Sequence, residues 1–336
     1  MMRPRPRRVP LPWPPVSRTA RLRALAAAGL ATGLLVVTAS ACSQRAGTAA
    51  TGTAVQASTT TTFAPSTELL DAGHEPRRPL RFRLAARSWT LVVTSDVDVS
   101  QDGDAGPVAL DLPAVDQRVR LTTTPTSANS ADLEVVFEAV TAVPSPSLPE
   151  AERRALDTRL ARLVGLRGKG RIDTRGRLVA MSYETPRGLD EDMRALVATL
   201  PAQLARLVAP VPDEAVGVGA RWRSSSSVDL GGTTVPIRTV YELTDIDGDV
   251  VSYSSTSEGS VRDRELNLPG APAGTTFHLR ELRSSGRGVG TFSLHSFEVT
   301  ADVSSSTTQE MTVTDPRGPV TVDQRTETHV VVAPGT

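Results

Sequence analysis

The sequence predicts an α+β fold that is mainly β: a large, curved antiparallel sheet with one or two amphipathic helices packed on one face. Three observations lead there. The chain is rich in Thr, Ser and Val and carries 25 glycines and 25 prolines, a composition that favours strands and turns over helical bundles. From about Leu80 onward, apolar and polar residues alternate with a period of two. Only two stretches show helical spacing, and a sheet of this size needs something to cover it.

Residues 1–41 read as an export signal. A basic, proline-rich leader through Arg23 precedes an apolar run from Ala24 to Val37 and then the small residues Thr38 to Ala41. The run falls short of the roughly 20 apolar residues that span a bilayer, which fits a signal core. Cys42, the only cysteine, follows immediately. That placement resembles the lipobox of bacterial lipoproteins, where such a cysteine receives a diacylglyceryl group and becomes the new N-terminus. Ala39 stands where that motif usually has a large aliphatic, and Ala39-Ser40-Ala41 also suits ordinary signal peptidase, which would release a secreted product. The sequence thus places the protein on the extracytoplasmic face of the cell membrane, lipid-anchored through Cys42, with secretion as the alternative.

From Ser43 to about Ser66 the chain is mostly Ala, Gly, Thr and Ser, which reads as a flexible tether with a reach of about 25–30 Å. The expected organisation is a lipidated cysteine and tether over 42–75, then a single β-rich domain over 76–334.

Within that domain, Leu133, Val135, Phe137 and Ala139 are expected to line one face of a strand, with Glu134 and Glu138 on the other. Ile237 to Leu243 and Phe277 to Arg280 alternate likewise. Asp102-Gly103 and Asp247-Gly248 are hairpin-turn signals, and a short hairpin is expected near Ile172 to Ala180. The first helix runs from about Leu148 to Val164: Ser147 and Glu150 form a capping box, Leu156, Leu160, Leu163 and Val164 make the stripe, and Gly165 ends it. The second runs from Leu189 to Val208 on Leu189, Met193, Leu196, Val197, Leu200, Leu204, Leu207 and Val208, with a kink expected at Pro201.

The 37 basic residues match 37 acidic ones, but seven arginines lie in the export segment, so the mature chain is net acidic by about seven charges. That argues against nucleic-acid binding, which needs a concentrated basic surface. Catalytic and metal signatures are absent. There is no G-x-S-x-G, and Lys169, the sole lysine, is not preceded by the serine of an S-x-x-K motif. His74, His278, His295 and His329 lack metal-site spacing. His295 reads as a partly buried histidine sharing a strand face with Phe297 and Val299. Asp245 to Asp249 fails as a calcium loop, because Thr256 stands where a bidentate Glu belongs. Gly286-Arg287-Gly288-Val289-Gly290 reads as a bulge or turn, not a dinucleotide loop.

Two segments, Leu69 to Phe82 and the Pro212 to Trp222 box P-x-x-x-V-G-x-G-A-x-W, resemble an uncharacterised family of exported proteins from high-GC Gram-positive bacteria. That resemblance implies no activity, cofactor or metal. Gly217 and Gly219 suit close backbone approach or unusual dihedrals, and Trp222 suits the core. The expected architecture is similar to envelope lipoproteins that cup lipids. The resulting expectation is a non-enzymatic binding module for an apolar or amphipathic, lipid-like ligand, with a structural or protein-interaction role in the envelope as the alternative. Cys42→Ala is expected to move the protein from membrane to medium or leave it unprocessed; fractionation of cells carrying the variant reads this, and a processed, still membrane-bound product would refute the anchor.

Overall fold

A computed structural model of the chain describes residues 61–62, 66–103, 106–145, 148–184, 188–189, 191–205, 208–230, 233–267, 274–316 and 318–335. The export signal, Cys42, most of the tether, Ser147 and Leu207 lie outside them. Among the described residues the fold is mainly β, built on a large antiparallel sheet with two short helices. In chain order the strands are β1 (Thr61–Thr62), β2 (Ser66–Asp71), β3 (Arg78–Pro79), β4 (Arg87–Gly103), β5 (Val108–Asp111), β6 (Val115–Ser127), β7 (Ser130–Ala142), β8 (Arg167–Asp173) and β9 (Leu178–Tyr183). They continue with β10 (Ala215–Val216), β11 (Arg221–Leu230), β12 (Thr233–Asp247), β13 (Val250–Leu266), β14 (Thr276–Ser293), β15 (Val299–Asp315) and β16 (Gly318–Pro334). Helix α1 (Glu150–Leu160) lies between β7 and β8, and α2 (Glu191–Leu204) between β9 and β10.

The large sheet has the order β1-β9-β8-β7-β6-β4-β16-β15-β14-β13-β12-β11-β2, with β5 paired to β4 beside this path. Laid flat, its two ends would stand about 58 Å apart at the usual strand spacing. Yet β1 pairs with β9 at one end and β2 with β11 at the other. Four peptide links separate Thr62 from Ser66, a reach of at most about 14 Å. The sheet therefore turns round on itself until one stretch of chain pairs with both of its edges. That stretch includes Ser66–Asp71, residues the sequence reading assigned to the tether.

A second tie acts across the ring. The Phe82 N–H donates to the Thr174 carbonyl in the β8–β9 turn, and the Arg83 N–H donates to the Leu294 carbonyl in the β14–β15 turn, each at 2.7 Å. Phe82 stacks on Phe297 with centroids 4.7 Å apart and also meets Phe292. Ala131 and Ile172 from one half of the sheet thereby share a buried cluster with Trp222, Tyr241 and Leu243 from the other.

Both helical stripes are buried in a second cluster. Leu156, Leu160 and Leu163, with Leu189, Met193, Leu196, Val197 and Leu200, join Leu91 and Val93 of β4, Val119 and Leu121 of β6, and Val135 and Phe137 of β7. Val164 does not follow its stripe. It is 47% exposed, because its own backbone is already extended at ψ 130° and has left the helix, with Gly165 following at φ +84°. The N-cap of α1 is Pro149, without a side-chain cap, and Glu150 instead pairs with Arg153 at 2.8 Å. Helix α2 runs through Pro201 and ends at Leu204, with the Ala205 N–H donating to the Pro201 carbonyl at 3.1 Å.

Alternation is interrupted where bulges occur. In β7, Val119 faces Phe137 while Arg118 faces Ala139, so Glu138 is the extra residue. Val140 and Ala142 then point into the core in place of Ala139, and Glu138 meets Arg118 and Arg120 at 3.5 and 3.3 Å. The β12–β13 turn is Gly248-Asp249, one residue later than predicted, with Gly248 at φ +55°. Asp102-Gly103 ends β4 in extended conformation, and Gly106, at φ +86°, donates its N–H to the Gly103 carbonyl at 2.7 Å.

The segments Leu69 to Phe82 and Pro212 to Trp222 interlock. Gly73, at φ +74°, lies against the Gly217 carbonyl; Gly217 N–H donates to Ala72 O at 3.0 Å, and His74 N–H to Val218 O at 2.9 Å. Trp222 is fully buried, donates Nε1–H to Pro210 O at 2.8 Å and stacks on Tyr241. A Cβ on Gly217 would collide with the His74 carbonyl oxygen, backbone that cannot step aside. Gly217→Ala is therefore expected to cost about 3 kcal/mol in denaturant unfolding, whereas Gly103→Ala, whose added carbon meets nothing closer than 3.5 Å, stays within about 0.5 kcal/mol.

Candidate functional site

The buried side chains of the sheet define an inner face, and its composition changes along the strands. At one end it is apolar, through Leu91, Val93, Val330 and Val332, which share a buried cluster with the helix stripes. At the other end Leu266, Phe277, Leu279, Leu282 and Met311 form a third cluster. Between them runs a polar strip. In one row Val97, Thr328, Ser305, Gly286 and Ser257 are successive partners across β4, β16, β15, β14 and β13. The next row is Val99, Thr326, Thr307, Ser284 and Gly259, and the third begins Gln101, Gln324, Gln309.

Part of this strip satisfies itself. Gln309 Nε2 donates to Gln324 Oε1 at 3.1 Å, Gln324 Nε2 to Thr326 Oγ1 at 3.2 Å, and Thr307 Oγ1 to Ser284 Oγ at 3.1 Å. Another part does not. Ser95 Oγ, Gln117 Nε2 and Thr328 Oγ1 are buried atoms with no hydrogen-bond partner among the described residues. Their residues are 2%, 3% and 5% exposed. Ser95 faces Val330 on β16 and Val115 on β6, so Thr328 and Gln117 are its diagonal neighbours on either side. Diagonal partners lie about 7–8 Å apart. Three unpartnered polar side chains thus form one line across three adjacent strands. Asp96, Asp116, Arg118, Arg325 and Glu327 of those strands occupy the alternate positions, and Arg87, at the start of β4, shares the register of Trp89 and Leu91.

The Gly286 to Gly290 motif sits in this setting. It is neither bulge nor turn but unbroken strand, paired on both sides within β14. Its glycines make room for their neighbours: Ser257 Oγ leans over Gly286, Ser255 Oγ over Gly288 and the Tyr253 hydroxyl over Gly290.

Sequence-predicted sites fare differently. Cys42 is outside the described residues. The histidines are not brought together. His295 is exposed in the β14–β15 turn, not partly buried on a strand face, because Phe297 adopts φ +57° and breaks the alternation. His329 Nε2 lies 2.9 Å from Asp302 on the exposed surface, and His278 lies near Asp263. Among the described residues no group of three or more His, Cys, Asp or Glu is placed to hold a metal ion.

On the exposed surface Glu281, Glu310, Asp323 and Asp102 are successive partners across β14, β15, β16 and β4. They line an open pocket of about 610 Å³ with Arg325. Arg283 and Arg262 bind Glu281 and hold its carboxyl below the usual range, and Arg280 pairs with Glu310 at 3.0 Å. A second open pocket, about 480 Å³, is lined by Asp96, Asp98, Arg287, Glu327 and His329.

No protein-family model matches this sequence, and neither does any curated protein. The reading of the site thus rests on its own chemistry.

Two tyrosines are buried elsewhere in the core, Tyr183 on β9 and Tyr253 on β13. Burial raises the Tyr183 hydroxyl and pushes Tyr253 up to about 12. A raised phenol favours the neutral form in the folded state, so its stabilisation is complete below the unfolded value near 10 and is lost as pH rises toward 12. Unfolding free energy is expected to fall by about 3 kcal/mol over that window from Tyr253, and denaturation of Tyr253→Phe across pH 9 to 12 should show a shallower decline.

Proposed function

We propose that the chain is a membrane-anchored extracytoplasmic lipoprotein, held through lipid on Cys42, and that its α+β domain is a non-enzymatic binding module for an amphipathic, lipid-like ligand. The anchor rests on the sequence: an export signal ending in small residues directly before a sole cysteine. Two or more acyl chains there give durable attachment. The resemblance of the Pro212 to Trp222 box to exported proteins of high-GC Gram-positive bacteria agrees with this placement.

The binding reading rests on one observation, the two-toned inner face. A hydrocarbon-like region under the helices adjoins a neutral, hydroxyl- and amide-bearing strip on the same strands, which is the pattern an amphipathic molecule complements. Both helices are read as lying on that inner face, because their stripes share its apolar cluster. Eight strands make a ring whose own side chains just fill it, and wider rings leave room for something more. Charged residues on the alternate positions keep the outer surface in water, unlike the apolar band of a barrel that faces lipid.

Native mass spectrometry of the full-length protein, purified and exchanged out of its extraction detergent, tests the reading. The expected spectrum shows the lipidated polypeptide carrying about one further lipid that leaves on mild activation, separable by mass from the covalent anchor. A spectrum of the polypeptide alone, across several gentle detergents, would remove the binding role.

A further inference from the structure

We infer that the diagonal line Gln117, Ser95, Thr328 is the polar end of the ligand site, and that it receives an uncharged, oxygen-bearing head group such as the ester and hydroxyl end of a diacylglycerol. The inference rests on the binding role proposed above and specifies its ligand class.

The argument starts from cost. A buried polar atom without a partner costs about 1–3 kcal/mol, and native folds leave few. Here three such atoms fall on adjacent strands at consecutive diagonal positions and on the same side of the sheet, a clustering that points to one shared partner. Ser95 and Thr328 offer hydroxyls that donate or accept, and Gln117 offers an amide N–H₂ that donates. Together they suit carbonyl and hydroxyl oxygens.

Charge narrows the class further. A phosphate or carboxylate buried among neutral groups would carry a large desolvation cost unless a cation met it. The inner-face positions of β6, β4 and β16 around the line hold Val115, Val93, Val97, Val330 and Thr326, none of them charged. On one side the line borders the cluster that contains Leu91, Val93, Val115 and the helix leucines, a surface for acyl chain. On the other side it borders the strip of Ser305, Gly286 and Ser257, which is only part-buried.

The test uses the full-length protein and a fluorescent short-chain diacylglycerol, with the matching phosphatidate and a fatty acid for comparison. The triple variant Ser95→Ala, Thr328→Val, Gln117→Met removes the three polar groups and keeps near-equal volume. It is expected to weaken diacylglycerol binding at least tenfold, about 1.4 kcal/mol, with no loss of melting temperature, while Thr328→Ser alone retains wild-type affinity. If the triple variant binds as tightly as wild type and is more stable, the three groups hold internal water or nothing, and this inference fails while the binding role stands. Tighter wild-type binding of phosphatidate or fatty acid than of diacylglycerol overturns the neutral class. Wild-type protein that binds none of the three probes removes the binding role and this inference with it. Should the triple variant not fold, Ser95→Ala and Thr328→Val taken singly are each expected to weaken binding at least twofold, and unchanged affinity in both overturns the assignment.

Discussion

Everything in this fold depends on the short segment that pairs with both ends of the sheet. Long strands joined by tight turns propagate a sheet readily, but nothing in local pairing stops it, and an open sheet leaves two rows of unpaired N–H and C=O groups. Here Thr61–Thr62 takes one row and Ser66–Asp71 the other. The closure is completed from inside by Phe82 and Arg83, whose neighbouring N–H groups hold two turns that a flat sheet would keep far apart. The interlocked glycines at 73 and 217 fix where that segment enters.

Closure also explains how residues of small size and mixed polarity come to be buried without a covering layer of helix. Thr307, Gln309, Gln324 and Thr326 are each under 10% exposed. They settle their polarity mainly with one another, which rigidifies that part of the face. The line at Gln117, Ser95 and Thr328 does not, and the contrast between a satisfied and an unsatisfied stretch on the same strands gives the inner face its chemical direction.

Much of the fold was legible in the sequence because it rests on periodicity. The strand at Leu133, the hairpin over 172–180 and both leucine stripes needed only the choice between periods of two and 3.6. Positions where one residue changes the phase escaped this reading. Glu138 is ordinary as a residue and becomes a bulge only against its partner strand; Phe297 takes a left-handed backbone because its ring is wanted between Phe82 and Trp89. The edge strands were missed because Thr and Ser read equally well as linker. The polar strip was missed for a related reason: Ser304-Ser305-Ser306-Thr307-Thr308 has no apolar alternation to say which side faces in. Its one available signal, Gln and Thr recurring every second residue through Gln324, Thr326 and Thr328, gains meaning only once neighbouring strands are placed.

The seam at Thr61 has a mechanical corollary. Chain that leaves the ring there continues toward the proposed anchor, so any tug between membrane and envelope arrives at the two-residue contact with β9 before it reaches the long central ladders. Strain from outside would be absorbed by a short, easily re-zipped join, and the interior would feel it only if that join gave way.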